Sequence, residues 1–169
     1  MVFPHGILLV LYNTLILPYI SYGILAWGNS GAGTINRILQ LQKKALRIIN
    51  NVNFCEHSNP LFYNCNTLKV TDVYSLQLGS FMYQLNNLKL PQSICSMFLR
   101  NEEFHYYFTR QSDEFHRSFA RTKLAKSSVK HAGPKLWSFI DFSLKCAYCL
   151  SAFKHKYKSK LLINYLSND

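Results

Sequence analysis

Acidic residues are scarce in this chain. Eight Asp+Glu stand against 19 Lys+Arg, a formal net charge of +11 at pH 7 over 169 residues. An excess of that size calls for a polyanion or an anionic surface as partner and says nothing about fold. The scarcity also excludes chemistry. No two aspartates are adjacent, so there is no Asp-Asp pair to hold two divalent ions for nucleotidyl transfer. The adjacent acidic pairs, Glu102-Glu103 and Asp113-Glu114, lie in a polar stretch where nothing apolar would separate their pKa values for acid–base work. Seven Gly and five Pro are too few for collagen-like or low-complexity sequence. No Asn-x-Ser/Thr sequon occurs, and five cysteines are too sparse for a disulfide scaffold. A reduced, intracellular chain, in cytoplasm or nucleus, is the expectation.

Cofactor and metal motifs are equally thin. Gly28-Asn-Ser-Gly31-Ala-Gly33 lacks the following Lys-Ser/Thr and the preceding strand of a phosphate-cradling loop. Cys146-x-x-Cys149 with His155 supplies half of a zinc ligand set, and Cys55, His57 and Cys65 another half; neither completes a four-ligand spacing. No strained nucleophile motif is present. The expectation is free cysteines and no cofactor.

What the chain has in quantity is apolar surface, 49% of its residues, enough to offset the entropy of ordering. Its distribution is uneven. Residues 1–36 contain no Lys, Arg, Asp or Glu, whereas residues 85–169 hold fourteen basic and six acidic residues. From Gly6 to Gly28 runs GILLVLYNTLILPYISYGILAWG, 23 residues, against the roughly 20 that a membrane span needs. A span would place Lys43, Lys44 and Arg47 on a cytoplasmic side. Asn13, Thr14, Pro18 and Ser21 near its middle favour the alternative, two buried segments joined where Pro18 breaks a helix.

Helical periodicity dominates the rest. Ile35, Ile38, Leu39, Gln42, Ala45, Leu46 and Ile49 recur at helical spacing with Arg37, Gln40, Lys43, Lys44 and Arg47 opposite, which predicts an amphipathic helix capped by Thr34 and ended by Asn50, Asn51 and Asn53. Asn59-Pro60 opens a short turn. A long helix starts near Thr71 with Val73, Tyr74, Gln77, Leu78, Phe81 and Leu85 as its stripe, and Pro91 opens a shorter one. Gly133-Pro134 starts a helix carrying Leu136, Trp137 and Ile140, and a last helix from about Ser151 to Leu166 carries Phe153, Tyr157, Leu161 and Tyr165. Residues 100–121 break the pattern and read as an irregular basic segment, with one short strand at 106–109. The prediction is an all-α fold of about five to seven helices, divided as a helical region over 1–100 and a basic extension over 101–169.

The basic residues are the strongest functional clue. Arg110, Arg117, Arg121, Lys123, Lys126 and Lys130 are interleaved with Tyr106, Tyr107, Phe108, Phe115 and Phe119. Cations neutralise phosphates and exposed aromatic rings stack on unpaired bases; the alternative is a solvated basic surface whose aromatics face a core. The candidate nucleic-acid contacts are Lys43, Lys44, Arg47, Arg110, Arg121, Lys123, Lys126, Lys130 and Lys154.

An ordered set of motifs resembles the region after the polymerase palm of non-LTR (LINE-type, jockey-like) retrotransposon reverse transcriptases. Tyr12, Leu17-Pro18, Tyr22-Gly23 and Trp27-Gly28 match its opening. Leu41-Gln42, Lys44-Ala45-Leu46 and Arg47-Ile48-Ile49 match its Leu-Gln-x-Lys-Ala-Leu-Arg-Ile-Ile helix, and residues 60–84 are similar to its next helices. Thr109-Arg110 resembles a Tyr-x-Thr-Arg-Ser box, with Gln111 inserted before Ser112. GPKLWSFI, residues 133–140, resembles Gly-Pro-Lys-Leu-Trp-Asn-x-Leu-Pro, with Ser138 for Asn and Asp141 for Pro; residues 153–162 resemble the closing helix. The resemblance implies a helical, thumb-like C-terminal fragment without the family's Ala-Asp-Asp box or endonuclease. It would contact RNA or an RNA/DNA template–primer and have no catalysis of its own. It also implies that the uncharged opening packs on a polymerase palm, or self-associates without one, rather than crossing a membrane. The rival readings are a small basic single-span membrane protein and a helical protein-interaction module.

Overall fold

The computed structural model describes residues 3–104 and 112–166. The strand expected at 106–109 lies outside these residues, as do Arg110 and the Thr109-Arg110 box. The fold is all-α. In chain order the elements are α1 His5–Leu11, a π-helical turn Tyr12–Ile16, α2 Leu17–Ser21, α3 Ile24–Trp27, α4 Ala32–Asn50, α5 Asn59–Asn64, α6 Val70–Asn86, α7 Gln92–Cys95, α8 Asn101–Phe104, α9 Lys123–Ser127, α10 Val129–Phe139, α11 Phe142–Lys145 and α12 Leu150–Ile163. Five of these helices (α1, α4, α6, α10 and α12) reach seven residues, in line with the expected number; the remaining ones are single short turns. Two compact units form, Met1–Tyr74 with Lys156–Asp169, and Ser75–His155.

The opening segment departs from expectation at Pro18. The proline neither stops the helix nor joins two segments. A proline ring inside a helix clashes with the carbonyl four residues back. Here the turn before it widens: the Leu17 N–H donates to the Tyr12 carbonyl, five residues back, and α2 starts with Pro18 in its first turn. The break comes instead at Tyr22-Gly23. Tyr22 (φ −64°, ψ 122°) and Gly23 (φ 59°, ψ 18°) form a type II turn, which requires the left-handed region at its second central residue. The Trp27 indole N–H donates to the Tyr22 carbonyl (2.9 Å) across it. Nor are the segments buried. Tyr12, Ile20 and Ile24 face the core, while Val10, Leu15, Tyr19 and Tyr22 are exposed. Among the described residues no helix is long and apolar enough to cross a membrane.

In the first unit α4 buries the predicted stripe, with Ile35, Gln42, Leu46 and Ile49 fully inside. Its start is not the expected Thr34. Gly31 takes the N-cap position, and Thr34 lies in the first turn with its N–H bonded to the Gly31 carbonyl. Asn51 ends the helix in the left-handed conformation (φ 51°), and the Val52 N–H closes back on the Arg47 carbonyl. Gly28 packs so tightly that a Cβ there would lie 2.6 Å from both the Ile24 carbonyl oxygen and the Tyr74 ring.

Gln42 is the polar hub of this unit and is 1% exposed. Its Nε2 donates to the Tyr12 hydroxyl (2.9 Å) and the Leu68 carbonyl (3.3 Å), and its Oε1 accepts from the Val70 N–H (2.8 Å). That last donor belongs to the first turn of α6, where a helix has no intrahelical acceptor to offer. The neighbouring Lys69 N–H donates to the Tyr165 hydroxyl (3.1 Å), just beyond α12.

The second unit is held by aromatic packing. Tyr83 on α6 stacks on Phe153 of α12 (centroids 4.9 Å apart), and Trp137 of α10 lies beside Phe153 (6.3 Å). The Tyr83 hydroxyl donates to the Ala147 carbonyl (2.6 Å). Helix α10 begins at Val129, ahead of the predicted Gly133-Pro134 start, and carries Pro134 inside. A Cβ before a proline would disfavour the helical conformation, and Gly133 has none. Met82 uses the same gap, its Sδ 2.7 Å from where a Gly133 Cβ would stand.

Replacing Gln42 by Leu strips partners from the Val70 N–H and the Leu68 carbonyl. At roughly 1–3 kcal/mol for each of the two stranded groups the expected loss is about 2–6 kcal/mol. Tyr12→Phe removes one acceptor and leaves the Gln42–Leu68 bond, so its cost is about 1 kcal/mol. Urea unfolding followed by circular dichroism checks the ranking; equal midpoints for the two variants would contradict the hub role of Gln42.

Candidate nucleic-acid interface

The nine candidate cations fall into separate groups. Lys43, Lys44 and Arg47 lie on α4 in the first unit, with Lys44 exposed and the others half-buried. Arg47 is committed to its own chain: Nε and Nη2 donate to the Glu56 carbonyl (3.2 and 2.9 Å), and the guanidinium lies 5.4 Å from the centre of the Phe54 ring. Lys43 adds positive charge beside Lys69. In the second unit Arg121, Lys123, Lys126 and Lys130 are exposed along one short stretch, and Lys154 is exposed on α12. Arg110 lies outside the described residues.

The α9–α10 stretch is built to stand out. Thr122 caps α9, its Oγ1 accepting from the Ala125 N–H (3.2 Å), so Lys123 and Lys126 leave a short fixed helix. Ser128 starts α10 in extended conformation, which carries Lys130 on the first turn. From His116 to Ile140 there is no Asp or Glu, and six Lys/Arg occur.

Of the interleaved aromatics, Tyr106, Tyr107 and Phe108 lie outside the described residues, and Phe115 and Phe119 differ sharply. Phe115 is 7% exposed, edge-on to Phe98 (6.5 Å), with the Arg100 guanidinium 5.3 Å from its ring centre; it is core. Phe119, four residues on, is 92% exposed. A groove of about 460 Å³ runs between residues 97–99 and 116–119, lined by Met97, Phe98, Leu99, His116, Ser118, Phe119 and Lys130. Its walls are tied together. The His116 N–H donates to the Leu99 carbonyl (2.8 Å), and His131 Nδ1 lies 3.1 Å from the Ser118 carbonyl, an oxygen that only accepts. The sequence names Phe119 and Lys130 but not the wall at residues 97–99, whose part in the groove depends on the return of the chain through the Arg100–Phe115 bridge.

The most perturbed titratable groups lie elsewhere, in the first unit. Burial raises the Asp72 carboxyl above the ordinary aspartate value, opposed by a hydrogen bond from the Tyr165 hydroxyl and by Lys69. Burial lowers Lys69, with Asp72 opposing. The Lys69 ammonium donates to Asn59 Oδ1 (2.8 Å) and lies 4.3 Å from the centre of the Tyr165 ring. Burial pushes Tyr157 up to about 12, with the Asp72 charge adding, and raises Tyr165 further. These groups join α6 to the end of α12 by hydrogen bonds and ring contacts. The cysteines are free thiols, and among the described residues no group of three His, Cys, Asp or Glu is placed to hold a metal ion.

No protein-family model, curated protein or solved structure matches the chain.

The raised Asp72 value fixes a sign. A carboxyl whose folded pKa lies above its unfolded value contributes stability below the unfolded value, near 3.8, and loses it as pH rises through the folded one. Asp72→Asn keeps an acceptor for Tyr165 without the charge. Its stability relative to wild type is therefore expected to increase from pH 3 to pH 7. Urea midpoints at both pH values measure this; an unchanged or reversed difference contradicts the burial argument.

Proposed function

We propose that this chain is a nucleic-acid-contacting helical region, of the thumb-like kind found after the polymerase palm in non-LTR retrotransposon reverse transcriptases, without catalysis of its own. The observation that carries the reading is the acid-free stretch His116–Ile140, with exposed Arg121, Lys123, Lys126 and Lys130 beside the exposed Phe119 ring. Such a surface meets a phosphate backbone through charge and leaves chemistry to another part of the assembly. On this reading the partner is RNA or an RNA/DNA template–primer. The exposed uncharged face at Val10, Leu15, Tyr19 and Tyr22 is then the side on which a polymerase palm, or a second copy, would pack.

The resemblance supports this function through residues that build the fold. Tyr12, Gly23, Trp27, Gly28, Gln42, Gly133 and Trp137 all belong to its motifs. Each one turns the chain, admits a close neighbour, or is buried or bonded within its unit. The function reading therefore stands on the basic surface.

Binding to RNA and to primed duplex is expected to be tolerant of sequence and steeply dependent on salt. The log–log slope should be roughly −0.7 to −0.9 per phosphate neutralised. Replacing Lys123 and Lys126 together by Gln should weaken binding and flatten that slope, because both are exposed and neither shapes the core. Fluorescence anisotropy across salt concentrations provides the measurement; an affinity independent of salt would sink the proposal. With no Asp-Asp pair, primer extension on a primed RNA template with Mg²⁺ or Mn²⁺ should stay at background. Extension above background would refute the non-catalytic part.

A further inference from the structure

We infer that the groove under Phe119 is a stacking site for one unpaired base of a single-stranded nucleic acid, so that the second unit distinguishes single strands from duplex. The inference rests on the nucleic-acid reading and goes beyond it by naming where a base enters and what part of the strand is read.

Phe119 is the observation that needs explaining. A phenyl ring 92% exposed gains nothing from folding, and Phe115 in the same segment shows that the segment buries a ring when a core is within reach. The exposed ring stands at the mouth of a groove of about 460 Å³ whose apolar side is Met97, Phe98 and Leu99. A base has two apolar faces and a polar edge. One face can stack on Phe119, while the edge meets the polar lining at His116 and Ser118.

The charge pattern selects the occupant. Lys130 lines the groove, and Arg121, Lys123 and Lys126 follow Phe119 in the chain, all exposed, with no acidic residue from His116 to Ile140. An apolar peptide would fit the Phe98–Leu99 wall but has no use for four cations. A duplex would use the cations but offers no unstacked base to Phe119. A single strand uses both, the arrangement by which strands are bound without sequence preference.

The groove is also fixed before any ligand arrives. The Leu99 carbonyl holds His116, His131 holds the Ser118 carbonyl, and Phe98 packs on Phe81 (5.8 Å) and Phe115. These contacts leave little ordering of the walls to oppose binding.

The test compares wild type, Phe119→Ala and Phe119→Trp on an oligouridine carrying one 2-aminopurine, and on a duplex of equal length. Oligouridine stacks poorly on itself, so quenching of 2-aminopurine reports its capture by a protein ring. Phe119→Ala is expected to weaken single-strand binding by about five- to 150-fold, the usual range for losing one stacked base. It should abolish the quenching and leave duplex affinity and salt slope unchanged. Phe119→Trp should keep both binding and quenching. Lys130→Gln should instead flatten the single-strand salt slope by about 0.7, as expected for one lost phosphate contact. If wild type binds with a steep salt slope but Phe119→Ala binds the single strand equally well, the stacking site is refuted and the nucleic-acid reading stands. An equal loss on single strand and duplex also refutes it, since the ring would then not discriminate. If wild type binds neither, both readings fall together. Phe119 is exposed, so its variants are expected to keep the wild-type melting temperature, and circular dichroism melting checks this.

Discussion

The buried N-terminus of α6 is the constraint around which the first unit is arranged. The first N–H groups of a helix have no partner within it, and water cannot serve those that are buried. Here the acceptors come from far along the chain: Gln42, 28 residues before Val70, and Tyr165, 96 residues after Lys69. Neither can act unless its helix is docked. Gln42 reaches Val70 only with α4 in place, and Tyr165 reaches Lys69 only with the end of α12 returned to the first unit. The same tyrosine donates to Asp72 in the first turn of α6, where a negative charge also opposes the positive end of the helix dipole. Polar satisfaction thus specifies register among three helices whose apolar faces alone would tolerate sliding.

Legibility from sequence follows the same physics. The α4 stripe was readable because seven inward positions follow one period, and the polar Gln42 sits among them for the hydrogen-bonding reason just given. What could not be read were places where a local rule meets a specific neighbour. Pro18 continues a helical run because the preceding turn widens to the π form. Gly133-Pro134 sits inside α10 because Gly133 has no Cβ to disfavour the helical conformation before a proline, and Met82 fills the space a side chain would take. Thr34 looked like a cap, yet Gly31 reaches the required conformation first. Each of these outcomes depends on a contact or backbone adjustment that no residue spacing encodes.

The candidate site divides in the same way. The cations are legible as charge, since long basic side chains stay in water whatever the fold. Their use is not legible, because it depends on what lies between them. Arg47 matches the others as a letter but spends two donors on the Glu56 carbonyl. Phe115 and Phe119 share one polar segment, and only the position of Phe98 beside Phe115 decides that one ring is core and the other is free. A composition of basic and aromatic residues therefore identifies a candidate surface. The tertiary structure decides which members of it are available.

Availability has an energetic counterpart. The chain uses acidic side chains locally: Asp72 in the first turn of α6, and Glu102 and Glu103 in the first turn of α8. None of them lies between His116 and Ile140. The positive charge there is left to repel itself in the folded state, a cost that salt or a polyanion relieves. A ligand that binds the folded form alone raises stability by RT ln(1 + L/Kd), with L the free ligand concentration. On the nucleic-acid reading, binding and folding are then linked through the same side chains. The surface is stabilised most when the strand that it recognises is present, and the groove walls are already joined by the His116–Leu99 and His131–Ser118 contacts.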